Sequence, residues 1–200
     1  PAIDAFAVFG GSGSDEATAV TTDGQGNIFL AGVTTSIDLP VTAGAAQRTR
    51  SVPPDCFVAK LDPTGSNVLW LTYLGGNNSR NDYTLQPEHV VGIRVDAQGH
   101  VFVAGWTQST DFPTTTNAWQ SRPQYNVSSK GWDGFLAKLS PQGSSLVFST
   151  YVGGRDGSTL VTGLDLDPAG NAYVTGATYA ASYPATAMLG QPGGRANVFV

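Results

Sequence analysis

The sequence predicts an all-β fold, a β-propeller of four-stranded antiparallel blades, and three observations carry that prediction. One stretch recurs three times without gaps. A second recurring stretch follows each copy, cut short in the last. Both stretches read as hairpins, with short apolar strands on either side of Asp-x-x-Gly or Asp-Pro-x-Gly turns.

The first stretch covers Asp23–Gly32 (DGQGNIFLAG), Asp96–Gly105 (DAQGHVFVAG) and Asp167–Gly176 (DPAGNAYVTG), at offsets of 73 and 71 residues. Asp38-Leu39-Pro40, Asp111-Phe112-Pro113 and Ser182-Tyr183-Pro184 keep the same offsets. The second stretch covers Asp55–Gly65 (DCFVAKLDPTG) and Asp133–Gly143 (DGFLAKLSPQG), and starts again at Asn197-Val198-Phe199-Val200. Leu71–Gly76 (LTYLGG) and Ser149–Gly154 (STYVGG) come next, and Phe6–Gly11 looks like that element from a preceding repeat.

Within a repeat, the first hairpin runs Ala19 to Asp23, turns at Gly24 to Gly26 and returns through Asn27 to Val33. The second runs Cys56 to Asp62, turns at Pro63 to Ser66 and returns through Asn67 to Leu74. In these turns Asp caps through its side chain, Pro presets φ and Gly accepts positive φ. Strands such as Ile28–Ala31 are apolar on both faces, which suits a sheet covered on both sides. A β-helix would have shorter rungs, and a sandwich would not repeat its sequence at this interval. The predicted division is residues 1–11 as the last strand of a preceding blade, 12–76 as blade 1, 77–154 as blade 2 and 155–200 as a partial blade 3, about 2.7 blades of a larger ring. Three blades cannot close. Leaving about six apolar side chains open on a face, at ~1.5–3 kcal/mol each, forfeits roughly 10 kcal/mol, so the expectation is a longer protein or an assembly of copies.

Composition narrows the function classes. Charged residues make up 12% and the net charge is −5, with no basic patch, which excludes an ordinary nucleic-acid surface and disfavours anionic membranes. No apolar run approaches the ~20 residues that span a bilayer. Cys56 is the only cysteine, so it forms no internal disulfide. The chain opens on Pro1 rather than Met and reads as a piece of a longer precursor. A thiol-poor, charge-poor composition suggests an extracellular or cell-surface setting.

Taken together, Gly-Gly, then Asp-x-x-Gly-Asn-x-(Tyr/Phe)-Val-x-Gly, Asp-Phe-Pro, Asp-x-Phe-Val-Ala-Lys-Leu-x-Pro-x-Gly and Ser-Thr-Tyr-Leu-Gly-Gly resemble the bacterial SBBP family, the seven-bladed β-propeller repeat, over essentially the whole chain. The resemblance implies a seven-bladed propeller in large secreted or cell-surface bacterial proteins, with no common activity. A weaker likeness to quinoprotein propellers rests on Asn67–Trp70; Leu146-Val147-Phe148 departs from it in the next copy.

In such a propeller the tight turns share one face, and the long connections share the other. Function concentrates on loops held by a rigid scaffold, so the long-loop face is the expected site. Its aromatic residues Tyr83, Trp119, Tyr125, Trp132, Tyr179 and Tyr183 either contact a sugar or peptide or pack the loops onto the blades. Asp15, Asp82 and Asp156 each follow a Gly-Gly. They form either a carboxylate ring able to take Ca²⁺ or a set of loop caps. No other cofactor is expected. Asp23, Asp96 and Asp167 read as turn residues, and Lys60 and Lys138, at one repeated position, as structural ion-pair partners. Glu88 with His89 is the one acid–base pair that breaks the repeat, short of a catalytic set. The expected function is a secreted binding or adhesion scaffold for a carbohydrate or protein. The alternatives are a structural or fibre-forming subunit that joins remaining blades or other copies, and a propeller lyase or glycosidase.

Overall fold

The computed structural model describes residues 8–50, 54–76, 88–125, 131–180, 182–185 and 196–200. No helix occurs among them. Among the described residues, eleven strands form three antiparallel sheets in plain sequence order. The first holds β1 (Asp15–Thr22), β2 (Ile28–Thr34), β3 (Asp55–Leu61) and β4 (Val68–Leu74). The second holds β5 (Glu88–Val95), β6 (Val101–Thr107), β7 (Asp133–Leu139) and β8 (Leu146–Val152). The third holds β9 (Thr159–Leu166), β10 (Ala172–Thr178) and β11 (Asn197–Phe199). The sheets are blades, and the fold is that of part of a propeller.

Turn chemistry builds the first hairpin of each blade. Gly26, Gly99 and Gly170 have φ of 82°, 83° and 84°, a region that glycine enters freely. Asp23 Oδ1 accepts from the Gln25 and Asn27 amides, and Asn27 Nδ2 donates to Asp23 Oδ2. His100 takes the place of Asn27 in the second blade, its Nδ1 3.0 Å from Asp96 Oδ2. The repeated lysines close on these same aspartates, Lys60 at 3.7 Å from Asp23 and Lys138 at 3.1 Å from Asp96. Each ammonium also lies over an aromatic ring, that of Phe29 or Phe102. The lysines therefore fasten the second hairpin of a blade to the first.

The innermost strand begins earlier than the sequence pattern predicts, at Asp15 rather than Ala19. A β-bulge hides its first half from a simple alternation. The register skips Thr18 opposite Gly32, Val91 opposite Gly105 and Thr162 opposite Gly176. At each glycine an added Cβ would overlap the carbonyl of residue 16, 89 or 160 across the ladder.

Blades stack through their faces. Phe29, Ala31, Val58 and Trp70 of the first blade share a buried cluster with Val101, Val103, Phe135 and Tyr151 of the second. Phe102, Ala104 and Val152 then meet Val161, Leu164 and Phe199 of the third. Polar ties reinforce both seams. Thr18 Oγ1 donates to Val90 O (2.9 Å), Trp70 Nε1 to Pro141 O (3.0 Å) and Arg94 Nε to Asp165 Oδ1 (3.0 Å). The other face of the first blade, with Phe57, Ala59, Leu71 and Tyr73, is covered in part by Leu39 from its own loop and by Phe9. The open face expected from the blade count is thus shorter of bare apolar surface on this side than the count alone implies.

Candidate functional site

The long loops are not free insertions. Residues 35–50 and 108–125, in the connections between the second and third strands, fold back along the fourth strand of the same blade. Thr42 and Thr115 pair with the backbone of Leu71 and Ser149. The Gln47 and Gln120 amides donate to Thr72 and Thr150 Oγ1, and their side-chain Oε1 atoms accept from Gly75 N and Gly153 N. Tyr73 OH donates to Ser36 O, and Tyr151 OH donates to Ser109 O while accepting from Phe112 N. Each loop therefore rests on rigid strand and presents only its crest.

The predicted aromatic residues separate on this frame. Trp119 stands on the crest, 55% exposed, where the register of the first loop places Ala46. Tyr179 is half exposed. Tyr125 is buried, with its hydroxyl donating to Gln108 O and its amide to Asp133 Oδ2. Tyr183 fills the place of Leu39 and Phe112 and stacks on Phe199 at 5.1 Å; burial pushes its hydroxyl up to about 12. Trp132 is half-buried and meets the edge of Trp106 at 6.0 Å. Tyr83 lies outside the described residues.

Register separates Asp15 from Asp156 despite their shared Gly-Gly context. Register makes Glu88 and Thr159 the equivalents of Asp15, each opening an innermost strand opposite a threonine. Asp15 accepts from Gly11 N, Thr34 Oγ1 and Ser36 Oγ. Glu88 Oε1 accepts from Gly76 N, Thr107 Oγ1 and Ser109 Oγ. Thr159 Oγ1 bonds Thr178 Oγ1 and accepts from Gly154 N. This position ties the Gly-Gly exit of one blade to the start of the next. Asp156 is instead an exposed loop residue with φ of 61°, and Asp82 lies outside the described residues. Among the described residues no three His, Cys, Asp or Glu side chains converge as a metal-binding group.

Sequence reading missed the cluster around Trp106. His89 stacks on it at 4.9 Å, and Trp132 meets its other side. Register places Val33 and Ala177 where Trp106 stands, so comparing the aligned columns exposes the substitution. Burial lowers the His89 imidazole, and Glu16 of the first blade works against that shift. Glu88, its neighbour, is sealed from solvent at 0% exposure. Asp133 is buried as well; desolvation carries it to about 6 against the Gln124 and Tyr125 amides that hold it. A cleft of about 390 Å³ opens on the opposite, tight-turn face between Arg94–Gln98 and Asp165–Gly170.

No curated protein matches the chain. The family model of the SBBP β-propeller repeat matches residues 8–40 and 147–184. Each stretch leads through the Gly-Gly exit, the bulged first strand and its hairpin to the x-x-Pro corner, in the first blade and in the third. By blade architecture, register and these two matched stretches, the chain carries the SBBP β-propeller repeat.

Proposed function

We propose that the chain is part of an extracellular or cell-surface propeller scaffold that binds a carbohydrate or protein ligand on its long-loop face. The observation that carries this reading is Trp119. A large aromatic side chain sits half exposed on a loop pinned by Thr115 and Gln120, at a position that holds alanine in the sister loop. A rigid, amphipathic ring presented this way suits stacking on a sugar or packing on a peptide. Glycan and peptide arrays probed with the chain and with Trp119→Ala test it. Capture that weakens at least tenfold in the variant, with an unchanged melting temperature, supports the reading. Equal capture by both proteins, or none by either, refutes it.

A second reading, assembly through blade faces, draws on the third blade. Tyr173, Val198 and Val200 are 51, 83 and 90% exposed, whereas Phe29, Cys56 and Val58 at the equivalent places in the first blade are fully buried. A further blade, from the rest of the same protein or from another copy, would cover them. Light scattering across a concentration series distinguishes these sources: a mass that rises with concentration favours copies, and a constant monomer mass excludes them.

A further inference from the structure

The two long loops carry the same anchors but differ at the residue before the glutamine. Ala46 precedes Gln47 in the first blade, and Trp119 precedes Gln120 in the second. The turn just before is alike in both, with the Ala45 and Ala118 amides donating to the carbonyls of Thr42 and Thr115. Beside the smaller side chain, Ala46, lies a slot of about 220 Å³. Its lining comes from two blades: Tyr73 and Leu74 at the end of β4, and Pro113, Leu139 and Leu146 from the second blade. Leu74 and Leu139 belong to the buried cluster that joins these blades, and Leu146 packs against it. The walls are therefore held by the seam itself.

The polar groups at the slot are already committed. Gln47 Oε1 accepts from Gly75 N at 3.1 Å, and Gln47 Nε2 donates to Thr49 O at 3.2 Å. The Tyr73 hydroxyl donates to Ser36 O and accepts from Leu39 N. The Ala46 amide donates to Gly143 O across the seam. Water in the slot therefore finds few partners, and its displacement by an apolar group is favourable.

We propose that this slot is a binding site for one aromatic ring, single or fused, carried by a free molecule or by the side chain of a peptide. Size selects the occupant. An apolar cavity of about 150 Å³ is enough to take benzene, and the slot exceeds that by room for a second, fused ring. The sister loop shows that the frame accepts a ring at this post: Thr115 and Gln120 keep the bonds that Thr42 and Gln47 make, with an indole between them. In the first blade the chain supplies only a methyl group there, and the ring comes from outside. Trp119 stands on the other loop and plays no part in this site.

Titration of the chain with indole and with the tripeptide Gly-Trp-Gly, followed by methyl NMR, tests the site. Indole should move the methyl resonances of Leu74, Leu139 and Leu146 along one saturating curve in the millimolar range, while those of Val161 and Leu164 at the second seam stay in place. This wild-type titration needs no variant to fold. Ala46→Trp supplies the ring from the chain itself and should weaken indole binding about tenfold or more, whereas Trp119→Ala should leave it unchanged. Tripeptide binding as tight as that of indole or tighter identifies a peptide as the source of the ring; weaker binding identifies a free aromatic molecule. Leucine resonances that do not move up to the solubility limit of indole, equal binding by Ala46→Trp, or loss of binding in Trp119→Ala overturns the proposal.

Discussion

Replacing Trp70 with alanine should unfasten the first blade from the second. The side chain is 6% exposed and belongs to the buried cluster that both blades share. Its ring meets Phe29 edge-on at 6.3 Å, and its Nε1–H donates to Pro141 O at 3.0 Å, across the seam in the turn between β7 and β8. It also lies against Gly143, where a Cβ would come 2.5 Å from the ring. Removing a buried aromatic ring of this size costs about 3–5 kcal/mol, cavity included. Trp70→Phe keeps most of the ring but leaves the Pro141 carbonyl without this donor, which costs about 1–2 kcal/mol. Phenylalanine fits the local backbone, since Phe148 occupies the same ladder position in the second blade. Urea unfolding followed by far-ultraviolet circular dichroism measures both variants, with Leu69→Ala as a neighbour whose side chain is half exposed. The expected order of loss is Trp70→Ala, then Trp70→Phe, then Leu69→Ala near zero. Equal midpoints for Trp70→Ala and Leu69→Ala would show that the seam does not rest on this ring.

Other outcomes follow from the same geometry. Gly143 has φ of 64° and faces the Trp70 ring, so Gly143→Ala should lower the melting midpoint by an amount equivalent to about 2 kcal/mol or more in a thermal scan. Tyr151→Phe strands the Phe112 amide and the Ser109 carbonyl, and urea titration should show a loss of about 1–3 kcal/mol. For Asp96, burial opposes ionisation, but the His100 amide and Lys138 outweigh it and hold the carboxyl below its ordinary range. Its contribution is present above pH ~4 and is lost as pH falls through its folded value, so Asp96→Asn should flatten the acid limb of a stability–pH curve.

The blades were legible because their chemistry is local. Asp and Gly fix the turns, apolar runs fix the strands, and the lysines recur with the aspartates that they pair with. Two features were not legible, each for a physical reason. The bulge at Thr18 interrupts the period-two alternation, so Asp15 to Ala17 read as loop. The long connections look like insertions because their anchors, Thr42 with Gln47 and Thr115 with Gln120, act through a few isolated residues bonded to a distant strand rather than through any periodic pattern. Among the candidate residues, sequence marked Trp119 by type alone. It could not separate Trp119 from Tyr125 and Tyr183, because exposure is set by which crest or corner the loop places each ring on. Asp82 and Asp156 share the Gly-Gly context of Asp15, but equivalence follows ladder register, which assigns that post to Glu88 and Thr159.

The glycines opposite the bulges have a consequence for ring size. Gly32, Gly105 and Gly176 let a carbonyl of the inner strand drop into the space that a methyl group would fill. That inward step adds local twist to each sheet beside the axis, and twist governs the wedge angle between one sheet and the next. Alanine at any of these places would push the inner strand outward and alter the wedge, so how many sheets complete a full circle is written in part into three absent side chains.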